Sequence, residues 1–188
     1  MIKPVIIIFA RAPVMGLTKT RLARRIGATE ATRIYRASLA AAIRATRGAG
    51  MRVVLSAVDI RASGFCAWPN GIARERQVIG DIGARMAAAL NAHAPAPALL
   101  IGSDIPDIRT SHLIDAAHAL RTCDVVFGPA TDGGFWLIGL NGPTYRRRAL
   151  LARAFAGVRW SSEFALHDVA DRIAGSRVAH AKTLADAD

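Results

Sequence analysis

The chain of 188 residues has few cysteines and no long apolar run, and these shortages exclude several kinds of protein. Cys66 and Cys123 lie far apart and form no C-x-x-C pair, so neither a disulfide framework nor a cysteine-based metal site is expected. No apolar run approaches the ~20 residues needed to span a bilayer. The apolar stretch 5–9 is shorter than the roughly 7–15 residues of a secretory signal core. We therefore expect a cytoplasmic protein without a membrane span.

Acidic residues are also scarce, since 14 aspartates and glutamates face 25 lysines and arginines and leave a formal net charge of +11. This charge indicates an anionic partner. The basic residues are dispersed, with one compact run at 146–148, whereas a nucleic-acid binder more often shows a basic stripe with interleaved aromatic residues. Phosphorylated small molecules fit the charge equally well, and no specific nucleic-acid partner is expected.

Strand and helix patterns alternate along a chain that is 52% hydrophobic, with a mean hydropathy of +0.27. Strands are predicted at 3–10, 51–58, 74–78, 98–102, 125–128, 135–140 and 177–180. Helices are predicted at 30–47, 82–93, 111–120, 145–155 and 163–173, and residues 11–20 and 59–70 are predicted to be irregular. This alternation indicates an α/β protein with a mainly parallel sheet and helices on both faces. The length fits a single domain over residues 1–188.

The apolar run 98–102 is followed directly by Ser103, Asp104, Ile105, Pro106 and Asp107. It is typical of a buried strand with carboxylates at its carboxyl end, where open α/β sheets bind their ligands. A carboxylate there commonly holds a hard divalent cation against phosphate oxygens. Alternatively, Asp104 or Asp107 caps the helix that starts near Thr110. This stretch alone leaves both interpretations open.

The loop after the first predicted strand carries three cations, Arg11, Lys19 and Arg21, together with Gly16. Glycine permits a close approach of the backbone to a ligand. The spacing does not match the G-x-x-x-x-G-K-[ST] phosphate-binding loop, because position 18 is not glycine. The loop is interpreted as a cradle for the phosphates of a nucleotide. The alternative is a basic loop that is simply solvated.

The segment Gly80-Asp81-Ile82-Gly83 precedes a predicted helix. The two glycines would let the base or ribose of a ligand pack close to the backbone. Asp81 is better explained as the cap of that helix.

The sequence Asp132-Gly133-Gly134 stands between two apolar runs and is a strong turn signal, so a plain hairpin is the simple interpretation. The functional interpretation is that Asp132 joins Asp104 at the metal, while Gly133 and Gly134 leave room for an acceptor. Three of the scarce acidic residues, Asp104, Asp107 and Asp132, fall at predicted strand ends, which favours the functional interpretation.

Trp160 and the two serines after it precede the last predicted helix. Ser161 or Ser162 is expected to cap that helix. Trp160 is a candidate for the acceptor side of a pocket, whereas His167 and Asp168 are expected to form a surface pair. No G-x-S-x-G motif occurs, which disfavours hydrolase chemistry of the triad type.

Taken together, the motifs resemble those of a bacterial family of small glycosyltransferase-A-like proteins and, more distantly, the guanylyltransferases that make molybdenum-cofactor dinucleotide and phospholactate-guanosine diphosphate. The resemblance covers nearly the whole chain. The segments that carry it are 9–13 with Gly16, 19–22, 80–86, 101–107, 128–135 and 160–161.

The resemblance implies a nucleotide-diphospho-sugar transferase fold, a three-layer α/β/α arrangement around a mostly parallel mixed sheet. It implies that the first loop, Ala12 included, and residues 80–83 bind a nucleotide, and that Asp104 holds Mg²⁺ or Mn²⁺. The chain departs from the usual Asp-x-Asp of glycosyltransferases, because Asp104 is followed by Ile105 and Pro106. That pattern is closer to the nucleotidyltransferases.

The expected function is therefore a metal-dependent transferase that uses a nucleotide or nucleotide-sugar donor and a small-molecule acceptor, most similar to a glycosyltransferase. Arg11, Lys19 and Arg21 would neutralise phosphates, Asp104 would hold the cation, and Asp132 would assist it or orient the acceptor. The alternatives are a nucleotidyltransferase that releases pyrophosphate, a non-catalytic nucleotide-binding module, and a nucleic-acid binder.

Overall fold

The centre of the molecule is a seven-stranded sheet in the order β3-β2-β1-β4-β6-β5-β7. A computed structural model of the chain describes residues 2–16, 18–58, 68 and 71–186. The strands are β1 (Val5–Ala10), β2 (Arg52–Ala57), β3 (Ala73–Arg76), β4 (Ala98–Gly102), β5 (Val125–Pro129), β6 (Phe135–Leu140) and β7 (Val178–His180). The helices are α1 (Thr20–Ile26), α2 (Ala28–Arg47), α3 (Ile82–Ala92), α4 (Thr110–Ala119), α5 (Thr144–Ala154) and α6 (Ala165–Arg172).

The sheet is mixed but mostly parallel. Strand β1 pairs in parallel with β2 and β4, and in this register Ile7 lies opposite Val54 on one side and Leu100 on the other. Strand β6 runs antiparallel to both neighbours, and β5 and β6 form the hairpin that the Asp-Gly-Gly turn predicts. The predicted α/β class and the mostly parallel mixed sheet are therefore confirmed.

Apolar side chains fill both faces of the sheet, because successive residues of a strand point to opposite sides. On one face Ile6 and Ile8 of β1 pack in a cluster with residues of α2 and α4. On the other face Val5 and Ile7 pack in a cluster with residues of α3, α5 and α6. The three-layer arrangement is thus confirmed, and no helix in the described part of the chain is long and apolar enough to cross a membrane.

Helix starts differ most from the sequence-based expectations. Helix α1 begins at Thr20, the last residue of the predicted loop 11–20, and covers residues for which no helix was predicted. It is separated from α2 by Gly27 at φ +88°. Gly27 occupies the N-cap position of α2, so this helix begins two residues before the predicted start at residue 30. Helix α4 follows Arg109 at its N-cap, so neither Asp104 nor Asp107 caps it. The predicted irregular segment 59–70 lies outside the described residues apart from buried Trp68.

Candidate active site

A cavity of about 780 Å³ opens at the carboxyl ends of β1 and β4. These strands are neighbours, and the chain leaves β1 toward β2 on one side and later returns to β4 on the other. Such a reversal of strand order creates a crevice between the loops that follow the strands, which is where open α/β sheets bind ligands. The cavity wall also includes the start of α3, the β5–β6 hairpin and residues 160–163.

Asp104 and Lys19 form an ion pair at the cavity wall, with 3.1 Å between Lys19 Nζ and Asp104 Oδ2. Strand β4 places Asp104 two residues beyond its last residue, and its side chain is 36% exposed, whereas the Lys19 side chain is 8% exposed. Lys19 also occupies the N-cap of α1 in the left-handed region, at φ 49° and ψ 49°. A non-glycine residue in that region is uncommon and carries backbone strain, and such strain concentrates at functional sites.

A buried phenol joins the two loops that carry these charges. Tyr35 Oη lies 3.0 Å from Ser103 Oγ, accepts a hydrogen bond from the Arg11 backbone N–H at 3.0 Å, and lies 3.0 Å from the Arg11 carbonyl oxygen. Burial is the main cause that raises the pKa of Tyr35, so the phenol stays neutral. Tyr35 therefore fixes the loop after β1 relative to Ser103 and the adjacent Asp104.

Among the described residues, four cationic side chains line the cavity, namely Arg11, Lys19, Arg21 and Arg85. Arg85 is held in place because its Nε donates to Gln77 Oε1 at 2.9 Å and its guanidinium lies 5.3 Å from the Phe9 ring centroid. Burial lowers the pKa of Arg85, and the charge of Arg11 lowers it further. The two guanidiniums therefore repel each other electrostatically. Cations that approach each other around a cavity favour an anionic ligand with several charges.

The described part of the chain also contributes four acidic side chains to the cavity wall, namely Asp104, Asp132, Glu163 and Asp186. Asp132 is exposed, and its Oδ1 accepts a hydrogen bond from the Gly134 N–H at 2.9 Å. Asp186 comes from the segment after β7. This segment packs alongside the β5–β6 hairpin, where the Leu184 N–H donates to the Pro129 carbonyl at 3.1 Å. The C-terminal segment thus brings a carboxylate to a site built mainly by the first two thirds of the chain.

These carboxylates fit Mg²⁺ or Mn²⁺ by their chemistry, because both ions prefer hard oxygen ligands. Within the described residues, no group of three or more His, Cys, Asp or Glu side chains is close enough to form a metal cage. Mg²⁺ is commonly held by one or two carboxylates together with phosphates of the substrate. The arrangement suits that mode rather than a structural metal site.

Aromatic side chains form another part of the cavity wall. Trp160 packs edge-on against Phe155, with 5.2 Å between ring centroids, and against Phe135, with 6.4 Å. A Cβ atom at Gly83 would lie 2.8 Å from Trp160 Cζ2, so the space predicted for a ligand beside Gly83 is filled by this indole. Trp160 itself, which was predicted for the acceptor side, is among the residues that line the cavity.

The segment that carries Trp160 is held by Asp168, which corrects the expectation of a surface pair with His167. Asp168 is 7% exposed and accepts hydrogen bonds from the Arg159 backbone N–H at 3.0 Å and from its guanidinium at 2.6 and 2.9 Å. These hydrogen bonds lower the pKa of Asp168 strongly. His167 instead lies 3.3 Å from Asp171 on the exposed face of α6.

Only some of the predicted site residues lie together at the cavity. The predicted residues that line the cavity are Arg11, Lys19, Arg21, Asp104, Asp132, Gly134 and Trp160. Asp81 caps α3 by accepting a hydrogen bond from the Ala84 N–H at 2.7 Å. Ala12 is buried in the core, and Gly16 is exposed at φ +81°. Neither is among the lining residues, and the same holds for Gly80, Asp81, Gly83 and Gly133.

The space predicted for an acceptor beside Gly133 is occupied by the protein. A Cβ atom at Gly133 would lie 2.6 Å from Glu163 Cα, and the Leu166 N–H donates to the Gly133 carbonyl at 3.1 Å. Gly133 therefore joins the hairpin to the start of α6. Its neighbour Gly134 does line the cavity.

Sequence reasoning missed several residues that line the cavity. Arg85 stands in a motif that resembles the family and gave a usable signal, and Ser103 adjoins Asp104. Tyr35 lies inside a helix and Asp186 close to the end of the chain, where neither has a motif of its own. Their positions follow from tertiary contacts between distant segments.

Comparison with known proteins supports the fold assignment. A family model described as "Uncharacterized protein conserved in bacteria (DUF2064)" matches residues 39–162. A candidate nucleotide-diphospho-sugar transferase from Desulfovibrio desulfuricans G20 is similar in structure, with a TM-score of 0.85 and 27% identity over 100% of this chain and 83% of that one. A search of curated proteins finds no match.

More distant structures share the fold. The manganese complex of Rv0371c from Mycobacterium tuberculosis H37Rv has a TM-score of 0.60 and 13% identity over 100% of this chain and 93% of its own. CMP:2-keto-3-deoxy-manno-octonic acid synthetase in complex with CTP has a TM-score of 0.53 and 12% identity over 97% of this chain and 90% of its own. The predicted resemblance to nucleotide-diphospho-sugar transferases and nucleotidyltransferases is confirmed at the level of the fold.

Proposed function

The chain belongs to the DUF2064 family of bacterial proteins, and we propose that it is a metal-dependent transferase acting on a nucleotide-activated donor. The observation that carries this proposal is the combination of Asp104 with four cationic side chains around one cavity at the switch point of the sheet. A bound diphosphate loses part of its hydration, so it needs several positive charges around it. A carboxylate can contact the same ligand if a divalent cation lies between the carboxylate and the phosphate oxygens. The similar proteins named above include both transferase classes and a complex with CTP.

The cationic residues have separate positions around the proposed donor. Lys19 lies next to Asp104, whereas Arg85 is fixed by Gln77 and faces the cavity near Arg11. Fixed guanidiniums suit bidentate contacts with phosphate oxygens, and a lysine acts as a movable point charge. These side chains would hold the donor and stabilise the charge that develops on the leaving phosphate.

Asp104 would hold the divalent cation, and Asp132 and Asp186 are the further carboxylates of the cavity that would assist it. A bound Mg²⁺ or Mn²⁺ would supply Lewis-acid stabilisation of phosphate oxygens. A manganese complex is known for the similar protein Rv0371c. The rest of the catalytic effect would come from the positions of donor and acceptor.

The wall formed by Trp160 and Phe135 would receive a small-molecule acceptor and exclude water from it. Asp132 lies at the hairpin on this side of the cavity and would orient an acceptor hydroxyl if it does not contact the metal. Because the Asp168–Arg159 pair holds the segment that carries Trp160, this wall is positioned before an acceptor arrives.

Transfer of a glycosyl group and transfer of a nucleotidyl group remain two candidate reactions. In the first, the bond between the sugar carbon and the diphosphate breaks, and a nucleoside diphosphate leaves. In the second, the bond between the α- and β-phosphates breaks, and pyrophosphate leaves. The sequence Asp104-Ile105-Pro106, which replaces an Asp-x-Asp, favours the second reaction. The similarity to a candidate nucleotide-diphospho-sugar transferase favours the first.

A thermal-shift screen of nucleotides and nucleotide sugars, with and without Mn²⁺, tests the proposal. A ligand that binds the folded state raises the melting temperature, so we expect one base to stabilise the protein in a Mn²⁺-dependent manner. Asp104→Asn should abolish this dependence. Asp107→Asn is the matched control, because Asp107 is exposed, lies three residues further along the chain and does not line the cavity.

The screen also separates the alternatives. Absence of any shift contradicts the proposal, and so does a shift that Asp104→Asn leaves intact. Metal-dependent binding without turnover of any donor and acceptor indicates a non-catalytic module. Polynucleotide binding with a steep salt dependence that Asp104→Asn does not alter indicates a nucleic-acid binder. Once a donor is found, Asp104→Asn should lower the rate by ~10³-fold or more, and the released phosphate species identifies the reaction.

A further inference from the structure

Lys19 has two incompatible partners in the proposed reaction. Its ammonium lies 3.1 Å from Asp104 Oδ2, one of the two carboxylate oxygens to which the divalent cation would bind. It is also one of the charges that would neutralise the donor phosphates. An ammonium and a divalent cation on the same carboxylate repel each other strongly unless another anion lies between them.

The backbone of Lys19 limits where its ammonium can go. Lys19 begins α1 in a left-handed conformation, and the preceding Thr18 is buried with its hydroxyl donating to the Val14 carbonyl at 3.3 Å. With an 8% exposed side chain, Lys19 lies along the cavity wall rather than in solvent. The ion pair is thus partly desolvated, unlike a solvated surface pair whose contribution is small.

We propose that Lys19 is a specificity-determining residue that keeps Asp104 closed to a free divalent cation until a diphosphate draws its ammonium away. This inference rests on the proposed function. The diphosphate of the donor offers oxygens to the ammonium and to the cation together, so both can remain once it is bound. The site therefore selects the metal–diphosphate complex over the metal alone.

A diphosphate changes the charge balance of the cavity. Before it binds, the four cationic and four acidic side chains among the described lining residues offset one another. The bound diphosphate adds negative charge to the cavity, which favours the divalent cation. Metal and diphosphate should therefore bind with positive cooperativity, each raising the affinity for the other.

Titration of Mn²⁺ without any nucleotide, followed by the electron paramagnetic resonance signal of the free ion, tests this inference. We expect Lys19→Met to bind Mn²⁺ about tenfold more tightly than the wild type, because it removes a unit charge from contact with Asp104. Arg24→Met is the matched control. It removes the same charge from an exposed position of the same helix outside the cavity, and we expect Mn²⁺ affinity to change by less than about twofold.

Titration calorimetry with inorganic pyrophosphate in the presence of EDTA measures the other half of the coupling. Asp104→Asn should bind metal-free pyrophosphate about tenfold more tightly, because it removes a carboxylate that repels pyrophosphate and that attracts the Lys19 ammonium. Lys19→Met should bind it more weakly. Lys19→Met should thus bind Mn²⁺ more tightly and pyrophosphate more weakly. If the ion pair had only a structural role, this substitution would not change the two affinities in opposite directions.

The outcomes separate the inference from the proposed function. Equal Mn²⁺ affinity in the wild type and Lys19→Met, abolished in both by Asp104→Asn, overturns the inference and leaves the metal site intact. Failure of Lys19→Met to bind Mn²⁺ also overturns the inference, while the nucleotide screen decides on the proposed function. Should Lys19→Met fold poorly, Lys19→Gly removes the same ammonium and suits the left-handed backbone of this position.

Discussion

The Tyr35 hydroxyl lies 3.0 Å from Ser103 Oγ, although the two residues are 68 positions apart in the sequence. The same hydroxyl receives the Arg11 backbone N–H at 3.0 Å. One side chain of α2 thus holds the loops after β1 and β4 at a fixed separation. These loops carry cations and the carboxylate of the candidate site, so the geometry of the site depends on this buried tyrosine.

We predict that Tyr35→Phe lowers the free energy of unfolding by about 1–2 kcal/mol, because it leaves the Arg11 N–H and the Ser103 hydroxyl without their partner. Urea denaturation measures this change. Tyr145→Phe is the control, since Tyr145 is 68% exposed and its hydroxyl accepts a hydrogen bond from the neighbouring Arg146. Equal effects of the two substitutions would contradict the role given to Tyr35.

A second prediction concerns the pH dependence that Asp168 confers. Its hydrogen bonds from Arg159 lower its pKa in the folded protein below the ordinary value of 3.8. The stability it contributes is therefore present above that value and is lost as the pH falls through the folded pKa. Asp168→Asn should lower the melting temperature at pH 7, and the difference from the wild type should shrink below about pH 4.

Melting temperatures measured by circular dichroism between neutral and acidic pH provide this test. Asp171→Asn is the control on the same helix, because Asp171 is exposed and its carboxylate lies 3.3 Å from the exposed His167 ring. A constant difference between Asp168→Asn and the wild type across the whole pH range would contradict the prediction.

The strands were predictable because they carry a strong local signal. Buried strands of a parallel sheet form nearly continuous apolar runs, and the run 98–102 has the bounds of β4 itself. Asp104 and the basic residues of the first loop could be predicted as site residues for the same reason, because they follow such apolar runs in the sequence. The carboxyl ends of neighbouring parallel strands meet at one edge of the sheet.

The missed features depend on contacts that no local pattern encodes. Helix α1 has no buried residue and no side-chain cap, so it lacks both the apolar periodicity and the start signal of a helix.

The glycines near the cavity were the other features that the sequence did not predict correctly. Gly83 and Gly133 were interpreted as space for a ligand, yet each makes space for a distant part of the chain, Trp160 and the backbone of Glu163.

A third prediction follows from Gly133. Gly133→Ala should be strongly destabilising, by about 3 kcal/mol or more, because the added Cβ overlaps the Glu163 backbone and φ is +85°. Gly142→Ala is the matched control, since φ is +99° there but a Cβ meets nothing within 4 Å. Its cost should stay near about 1 kcal/mol, the strain of the backbone alone.

Urea denaturation of both glycine variants separates backbone strain from steric overlap. Gly133→Ala should also displace the segment that carries Trp160, which a change in tryptophan fluorescence of the folded state would report. Similar losses of stability for the two variants would show that Glu163 does not pack against Gly133 as described.

The last prediction concerns Arg147, which is 1% exposed in α5 and donates to the backbone carbonyls of Leu90, Ala96 and Leu140. Burial lowers its pKa to about 10, so the guanidinium stays charged at neutral pH. Arg147→Met leaves these buried carbonyls unsatisfied and should lower the free energy of unfolding by about 3 kcal/mol. Arg148→Met, at the exposed next position, should change it by less than about 0.5 kcal/mol. Urea denaturation at neutral pH distinguishes the two. Comparable losses would mean that the positive charge of this arginine run, rather than the three carbonyl contacts, accounts for the stability.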